Sequence, residues 1–239
     1  MELTEDAVLG GKVRLRQPAK GYRVGVDPIL LAAAVEAEPG QTLMEAGCGA
    51  GAAMLAVANQ LPEIRIVGVE RDSQMAALAR ENVTLNGLAG RVEIVEGDAL
   101  AAGASFDGVF TNPPFDQEEG AQEPLPARRA AYLSEATIDE WIKALANRLT
   151  GGAMLTLIQR AHHLPAILGA LEGRLGGVEV LPLRPGAALP AKRVLVRARK
   201  GGRAPLKLLK GLDLHDANGA KFTPDVEAIL RGEARVTWR

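Results

Sequence analysis

From residue 42 onward the chain alternates short apolar runs with longer helical patterns. This alternation constrains the architecture more than any other feature. Apolar runs at 42–46, 64–70, 91–96, 106–111 and 153–158 read as strands, and 52–61, 73–86, 137–149 and 163–175 read as helices, with Ser73 capping the second. Two last strands follow at 178–183 and 193–199. Strands that are apolar throughout need cover on both faces, and strand–helix–strand units set successive strands parallel. The pattern predicts an α/β fold of Rossmann-like type: a seven-stranded, mostly parallel sheet with helices on both faces.

Outside this body the patterns are weaker. Segments 12–16 and 22–26 alternate around a turn-rich Gln17-Pro18-Ala19-Lys20-Gly21 and predict a small hairpin. Asp27-Pro28 opens a helix, with Asp27 as N-cap and Pro28 at the first helical position. The expected organisation is an N-terminal hairpin and helix extension over 1–40, a catalytic domain over 41–200, and a tail over 201–239 packed on it.

Composition excludes several classes. A hydrophobic content of 47% with a net charge of −1 argues against disorder. Cys48 is the one cysteine and has no partner within the chain. The longest apolar run, 29–35, is far short of a membrane span. The opening Met1-Glu2-Leu3-Thr4-Glu5-Asp6 is acidic where a secretion signal would be basic, so a cytoplasmic protein with no membrane partner is expected. The small net charge hides a distribution. Residues 7–26 hold five Lys/Arg and residues 180–212 hold nine, both without an acid. Basic blocks of this kind suggest a polyanion partner, although edge strands also carry such charges.

The first strand of the alternating body ends in Glu45-Ala46-Gly47-Cys48-Gly49-Ala50-Gly51. Glycines there let the backbone turn tightly beside a helix N-terminus and approach a ligand closely. Gly47-x-Gly49-x-x-Ala52 with Glu70 satisfies a dinucleotide fingerprint, which keeps a nicotinamide-binding oxidoreductase open. Glu45, however, would repel a pyrophosphate, whereas a sulfonium and an ammonium tolerate an acid. This stretch resembles the class I S-adenosylmethionine-dependent methyltransferases, whose first motif is acid-x-Gly-x-Gly-x-Gly. The resemblance covers about 41–160. It implies S-adenosyl-L-methionine as cofactor, with Glu45, Gly47, Gly49 and Gly51 around its methionine part, Glu70 on the ribose hydroxyls and Asp98 near the adenine amine. Cys48 is expected to be a small filler residue, and adjacent His162-His163, with no acid cluster beside them, give no metal site.

The fourth strand runs into Thr111-Asn112-Pro113-Pro114-Phe115. Two prolines fix φ and remove two backbone donors, leaving a stiff turn with outward carbonyls, an amide and an aromatic ring. Asn112 Oδ1 and the Pro113 carbonyl can each accept one N–H of an exocyclic amine, and Phe115 can stack on a planar target. The tetrad resembles Asn/Asp-Pro-Pro-Tyr/Phe of the amino methyltransferases, which implies Asn112, Pro113, Pro114 and Phe115 as catalytic. Their targets are adenine N6, cytosine N4, guanine N2 or protein glutamine N5, and the tetrad does not choose among them.

Nearly the whole chain, from Gly21-Tyr22-Arg23-Val24-Gly25-Val26-Asp27-Pro28 to Phe222-Thr223-Pro224, is similar to the bacterial tRNA1(Val) adenine-37 N6-methyltransferase family. That resemblance implies adenine N6 in a tRNA as target and contributions from Asp27 and Arg23 near the cofactor and target; a monomer is expected. Phe115 stands where that family typically has Tyr, which keeps guanine-N2 methylation of ribosomal RNA open. A protein-glutamine methyltransferase and a non-catalytic RNA-binding protein are the remaining alternatives. Arg128-Arg129 could also meet phosphate.

Overall fold

A computed structural model of the chain describes residues 2–20, 23–101, 103–113, 136–216 and 220–239. The elements in chain order are β1 (Leu3–Val8), β2 (Val13–Pro18), α1 (Asp27–Ala34), β3 (Thr42–Ala46), α2 (Ala52–Gln60), β4 (Arg65–Glu70), α3 (Ser73–Leu85), β5 (Val92–Glu96), β6 (Phe106–Thr111), α4 (Ile138–Asn147), β7 (Leu149–Arg160), α5 (Leu164–Leu171), β8 (Leu175–Arg184), β9 (Arg193–Lys200), β10 (Lys207–Leu208), β11 (Leu212–Asp213) and α6 (Pro224–Leu230).

The seven long strands of the body form one sheet in the order β5-β4-β3-β6-β7-β9-β8. All neighbours are parallel except β9, which runs antiparallel to β7 and β8. The link from β8 to β9 is too short for a crossover helix, so the chain returns as a hairpin. Two-residue strands β10 and β11 both add in parallel to β8 and bring the sheet to nine strands. Alternation along the strands sorts side chains to two cores. Leu43, Ile158 and Leu195 pack with α1, α2 and α3, while Met44, Leu157 and Val196 pack with α4 and α5. No described helix is long and apolar enough to cross a membrane.

The N-terminal hairpin differs from expectation. It pairs β1 with β2, not 12–16 with 22–26. Leu3–Val8 shows no apolar stripe because its inner face is only half-buried and its pairing is ionic. Glu5 faces Arg16 across the ladder and binds Arg14 at 2.6 Å and Arg16 at 3.2 Å, and Asp6 binds Arg23 at 2.9 Å. Two acids just upstream of the first basic block thus pair with three of its five cations.

Two caps also differ. Asp72, not Ser73, caps α3, accepting the N–H groups of Gln74 and Met75 at 2.9 Å each. The N-cap of α1 is Val26; Asp27 is the first helical residue, and its carboxylate accepts from Arg193 Nε at 2.5 Å. A tertiary cation has taken the carboxylate that local pattern assigns to the helix end.

The C-terminal segment packs on α1. Trp238 Nε1 donates to the Ala34 carbonyl at 3.0 Å, Val236 N–H donates to Ala33, and Arg235 donates to Val35. Arg197 lies over the Trp238 ring at 4.5 Å and binds Glu179 at 2.5 Å, both side chains being about seven-eighths buried. Burial alone would raise the Glu179 carboxyl, but hydrogen bonds and charge from Arg197 and Lys207 outweigh it and leave the group below its ordinary range. A depressed carboxyl stabilises the fold above its unfolded pKa of roughly 4.3 and loses that contribution as pH falls through the folded value. Glu179→Gln should therefore cost about 1–3 kcal/mol at pH 7 and progressively less as pH falls below about 4.3, read from urea melts at pH 7 and at a series of acidic values. Equal costs across the series would exclude the ion pair as the source.

Candidate active site

Five parallel strands end side by side along one edge of the sheet, and the strand order reverses between β3 and β6. Ligands of such sheets bind outside the carboxyl ends at that reversal. The two strands flanking it carry the glycine turn and Asn112. Thr111, fully buried, ties them together by donating its hydroxyl to the Ala46 carbonyl at 2.9 Å.

After β3 the backbone turns sharply. The N–H groups of Gly47 and Cys48 both donate to the Val69 carbonyl, at 2.9 and 3.1 Å, and Gly51 N–H closes on the Cys48 carbonyl at 2.8 Å. Gly49 and Gly51 have φ of 53° and 93°. A Cβ on Gly49 would enter open space, where a ligand can lie, while one on Gly51 would lie 2.5 Å from Met54 Cε. These positions demand glycine for backbone conformation, and at Gly51 for space as well.

Glu70 ends β4 and braces the turn. One carboxylate oxygen accepts Gly49 N–H at 2.8 Å and the other accepts Asp72 N–H at 2.9 Å. Each oxygen retains acceptor capacity for a ligand hydroxyl. Glu45 lies behind the turn, 3% exposed, and accepts Met54 N–H at 2.9 Å, so it supplies the cap that Gly51 cannot give α2. Desolvation, with a smaller contribution from Glu70, pushes the Glu45 carboxyl well above its ordinary range. Burial likewise pushes the Cys48 thiol up, helped by Glu45 and Glu70, which keeps it protonated and inert. Asp98 follows β5 exposed at the same edge and accepts Leu100 N–H at 2.9 Å. This cradle of small residues and edge acids fits a cationic nucleoside such as S-adenosylmethionine.

Beyond β6, Asn112 is half-buried and Pro113 is buried. The Pro113 carbonyl accepts from Gln159 Nε2 at 3.1 Å. Pro114, Phe115, Arg128 and Arg129 lie outside the described residues. Asp27 and Arg23 are not joined to the glycine turn by a hydrogen bond or ion pair. Asp27 is held at the start of β9, two strands from β6, and Arg23 by Asp6.

The structure adds residues that the motifs did not reveal. The Trp141 ring of α4 approaches Gly47, lying 3.8 Å from where its Cβ would be. Asn82 of α3 is fully buried: it donates to the carbonyls of Arg16 and Ala50, at 2.8 and 2.9 Å, and accepts Arg16 N–H at 2.8 Å. One turn on, Asn86 does the same to Arg14, accepting its N–H at 2.9 Å and donating to its carbonyl at 2.7 Å. Two amides spaced i,i+4 thus act as a strand edge for β2, and Asn82 joins the hairpin to the glycine turn. Asparagines near a helix end read as surface or cap residues in sequence.

The second basic block does not form one patch. Lys192 and Arg193 lie at the site edge beside the end of β7, whereas Arg199 and Lys200 lie at the opposite edge, about 20 Å away along β9. There they donate to the carbonyls of Gly152, Ala146 and Leu149.

A family model described as "methyltransferase small domain" matches residues 24–183. Curated proteins named tRNA1(Val) (adenine(37)-N6)-methyltransferase are similar. The one from Yersinia enterocolitica is 26% identical over 220 residues, 87% of this chain and 84% of its own. That from Actinobacillus succinogenes is 32% identical over 134 residues, covering 54% of this chain and 56% of its own. The match to the Bacteroides thetaiotaomicron relative spans 59% of that protein's length. Among solved structures, a predicted O-methyltransferase from Agrobacterium tumefaciens superposes with a TM-score of 0.74 at 29% identity, over 88% of this chain and 98% of its own.

Proposed function

Because the chain belongs to the methyltransferase small domain family, we propose that it transfers a methyl group to an exocyclic amino nitrogen of an RNA base, adenine N6 in a tRNA. The enzyme is an S-adenosylmethionine-dependent methyltransferase; when bound, the cofactor supplies a methyl group made electrophilic by its sulfonium. The observation that carries the amine reading is the placement of Asn112 and the Pro113 carbonyl beside the glycine turn, joined through the Thr111–Ala46 bond.

Two acceptors at one strand end suit a planar NH₂. Asn112 Oδ1 takes one N–H and the Pro113 carbonyl the other. The two bonds hold the hydrogens to one side, so that the nitrogen moves toward sp³ geometry and its lone pair leaves the ring's π system to face the methyl. The amine attacks while neutral, so no strong base is required beforehand; once it carries the methyl the nitrogen is positive and loses one proton to water, and rate comes from positioning and electrostatics. Glu70 binds the ribose hydroxyls and Asp98 the adenine side of the cofactor, while Gly47, Gly49 and Gly51 admit its methionine part. Glu45 holds α2 and so shapes the turn. Pro114 stiffens the acceptor turn, and Phe115 stacks on the flipped base. A tRNA substrate makes the cytoplasm its place of work.

The relatives' names favour adenine N6 of tRNA over the other amines that the tetrad admits. Transfer of labelled methyl to total tRNA, ribosomal RNA and protein, followed by nucleoside mass spectrometry, tests this. N6-methyladenosine in tRNA is expected. N2-methylguanosine in ribosomal RNA, or methylglutamine in protein, would replace that substrate.

A further inference from the structure

The last pair of the β6–β7 ladder is Thr111 with Leu157, so the same register sets Pro113 beside Gln159. Here the ladder runs out. Proline offers no N–H, and a carbonyl beyond a strand end has no regular neighbour to aim it. Gln159 fills that role with its side chain. It is 6% exposed, and its Nε2 donates to the Pro113 carbonyl at 3.1 Å while its Oε1 accepts Arg160 N–H at 2.7 Å. These two partners settle which end of the amide is which. Exchanging O and N would set oxygen against the Pro113 oxygen and an NH₂ against the Arg160 N–H. The carboxamide is therefore a fixed donor aimed at one carbonyl.

That carbonyl has two lone pairs. We propose that Gln159 is a positioning residue for the methyl acceptor: it occupies one lone pair of Pro113, fixes the carbonyl's direction, and leaves the other lone pair aimed at the substrate N–H. This rests on the amine-methylation reading above. Gln159 touches neither substrate nor cofactor; it acts through Pro113.

Gln159→Leu removes the donor at similar volume. It should lower kcat about 10- to 100-fold, with S-adenosylmethionine affinity and KM for tRNA little changed. Gln159→Glu separates positioning from mere structure. The ionised carboxylate cannot donate and repels the carbonyl, so activity at pH 8 should be as low or lower. The protonated acid regains an O–H donor while its other oxygen still accepts Arg160 N–H. Burial raises such a carboxyl, so activity should recover as pH falls through about 7 to 5, a limb absent from the wild type. The same protonation adds stability, so melting temperature should rise as pH falls; cofactor affinity, and the folded fraction at the assay temperature, should stay level.

A leucine variant with wild-type kcat overturns the proposal, as does a folded glutamate variant with no acid recovery. Should the leucine variant fail to fold, the pH profile of the glutamate variant decides alone. Asn112→Ala assayed in parallel keeps the two levels apart. An inactive Asn112 variant beside a fully active Gln159→Leu sinks only this inference, whereas a fully active Asn112 variant sinks the reading beneath it.

Discussion

Asn112→Ala is expected to cut methyl transfer to tRNA by roughly 10²–10³-fold while leaving S-adenosylmethionine binding within about twofold. The size follows from what is removed. In the proposed mechanism Asn112 provides one of two acceptors for the amine, and its contribution grows as the nitrogen becomes positive, so the loss should fall on kcat rather than on binding. The side chain is half-buried at a strand end, so truncation should not unfold the protein. Calorimetry with the cofactor and a single-turnover methylation assay make the check. Full activity with normal cofactor binding would remove Asn112 from the chemistry.

Gly51→Val should weaken S-adenosylmethionine binding at least about 100-fold, equivalent to roughly 2.7 kcal/mol. At φ 93° a β-branched residue is severely strained. The clash with Met54 Cε alone could be relieved, because that methyl ends a flexible chain. The backbone cannot yield so easily: Gly51 N–H is bonded to Cys48, and Met54 N–H to buried Glu45. Relief must therefore come from the turn proposed to line the cofactor. Gly51→Ala should fall between valine and wild type. Unchanged affinity in the valine variant, measured by calorimetry, would show that the turn does not contact the cofactor.

Much of the architecture was legible because its signals are local. The seven long strands, and the turn and proline stop at the site edge, follow from neighbouring residues whose conformations or burial are restricted. The hairpin was misplaced because β1 carries no apolar stripe; it is held by Glu5 and Asp6 pairing with arginines nine to seventeen residues on. The basic blocks looked unpaired in sequence because their acids lie outside them. Arg193 meets Asp27, Arg197 meets Glu36 and Glu179, and Arg184 meets Asp213. Gln159 carries no signal in sequence because the apolar run stops at Ile158, although the strand continues through Arg160.

By itself the sequence determined the strand–helix alternation, the glycine turn and the proline stop after β6, because each depends on torsional or burial preferences within a few adjacent residues. Only the tertiary structure decided which partners the carboxylates, arginines and amides take. Those choices depend on strand register and helix docking, which bring Asn82 to Ala50 and Gln159 to Pro113 across 32 and 46 residues of chain. A hydrogen bond needs its donor within a few tenths of an ångström of the right place, and no local pattern specifies that position.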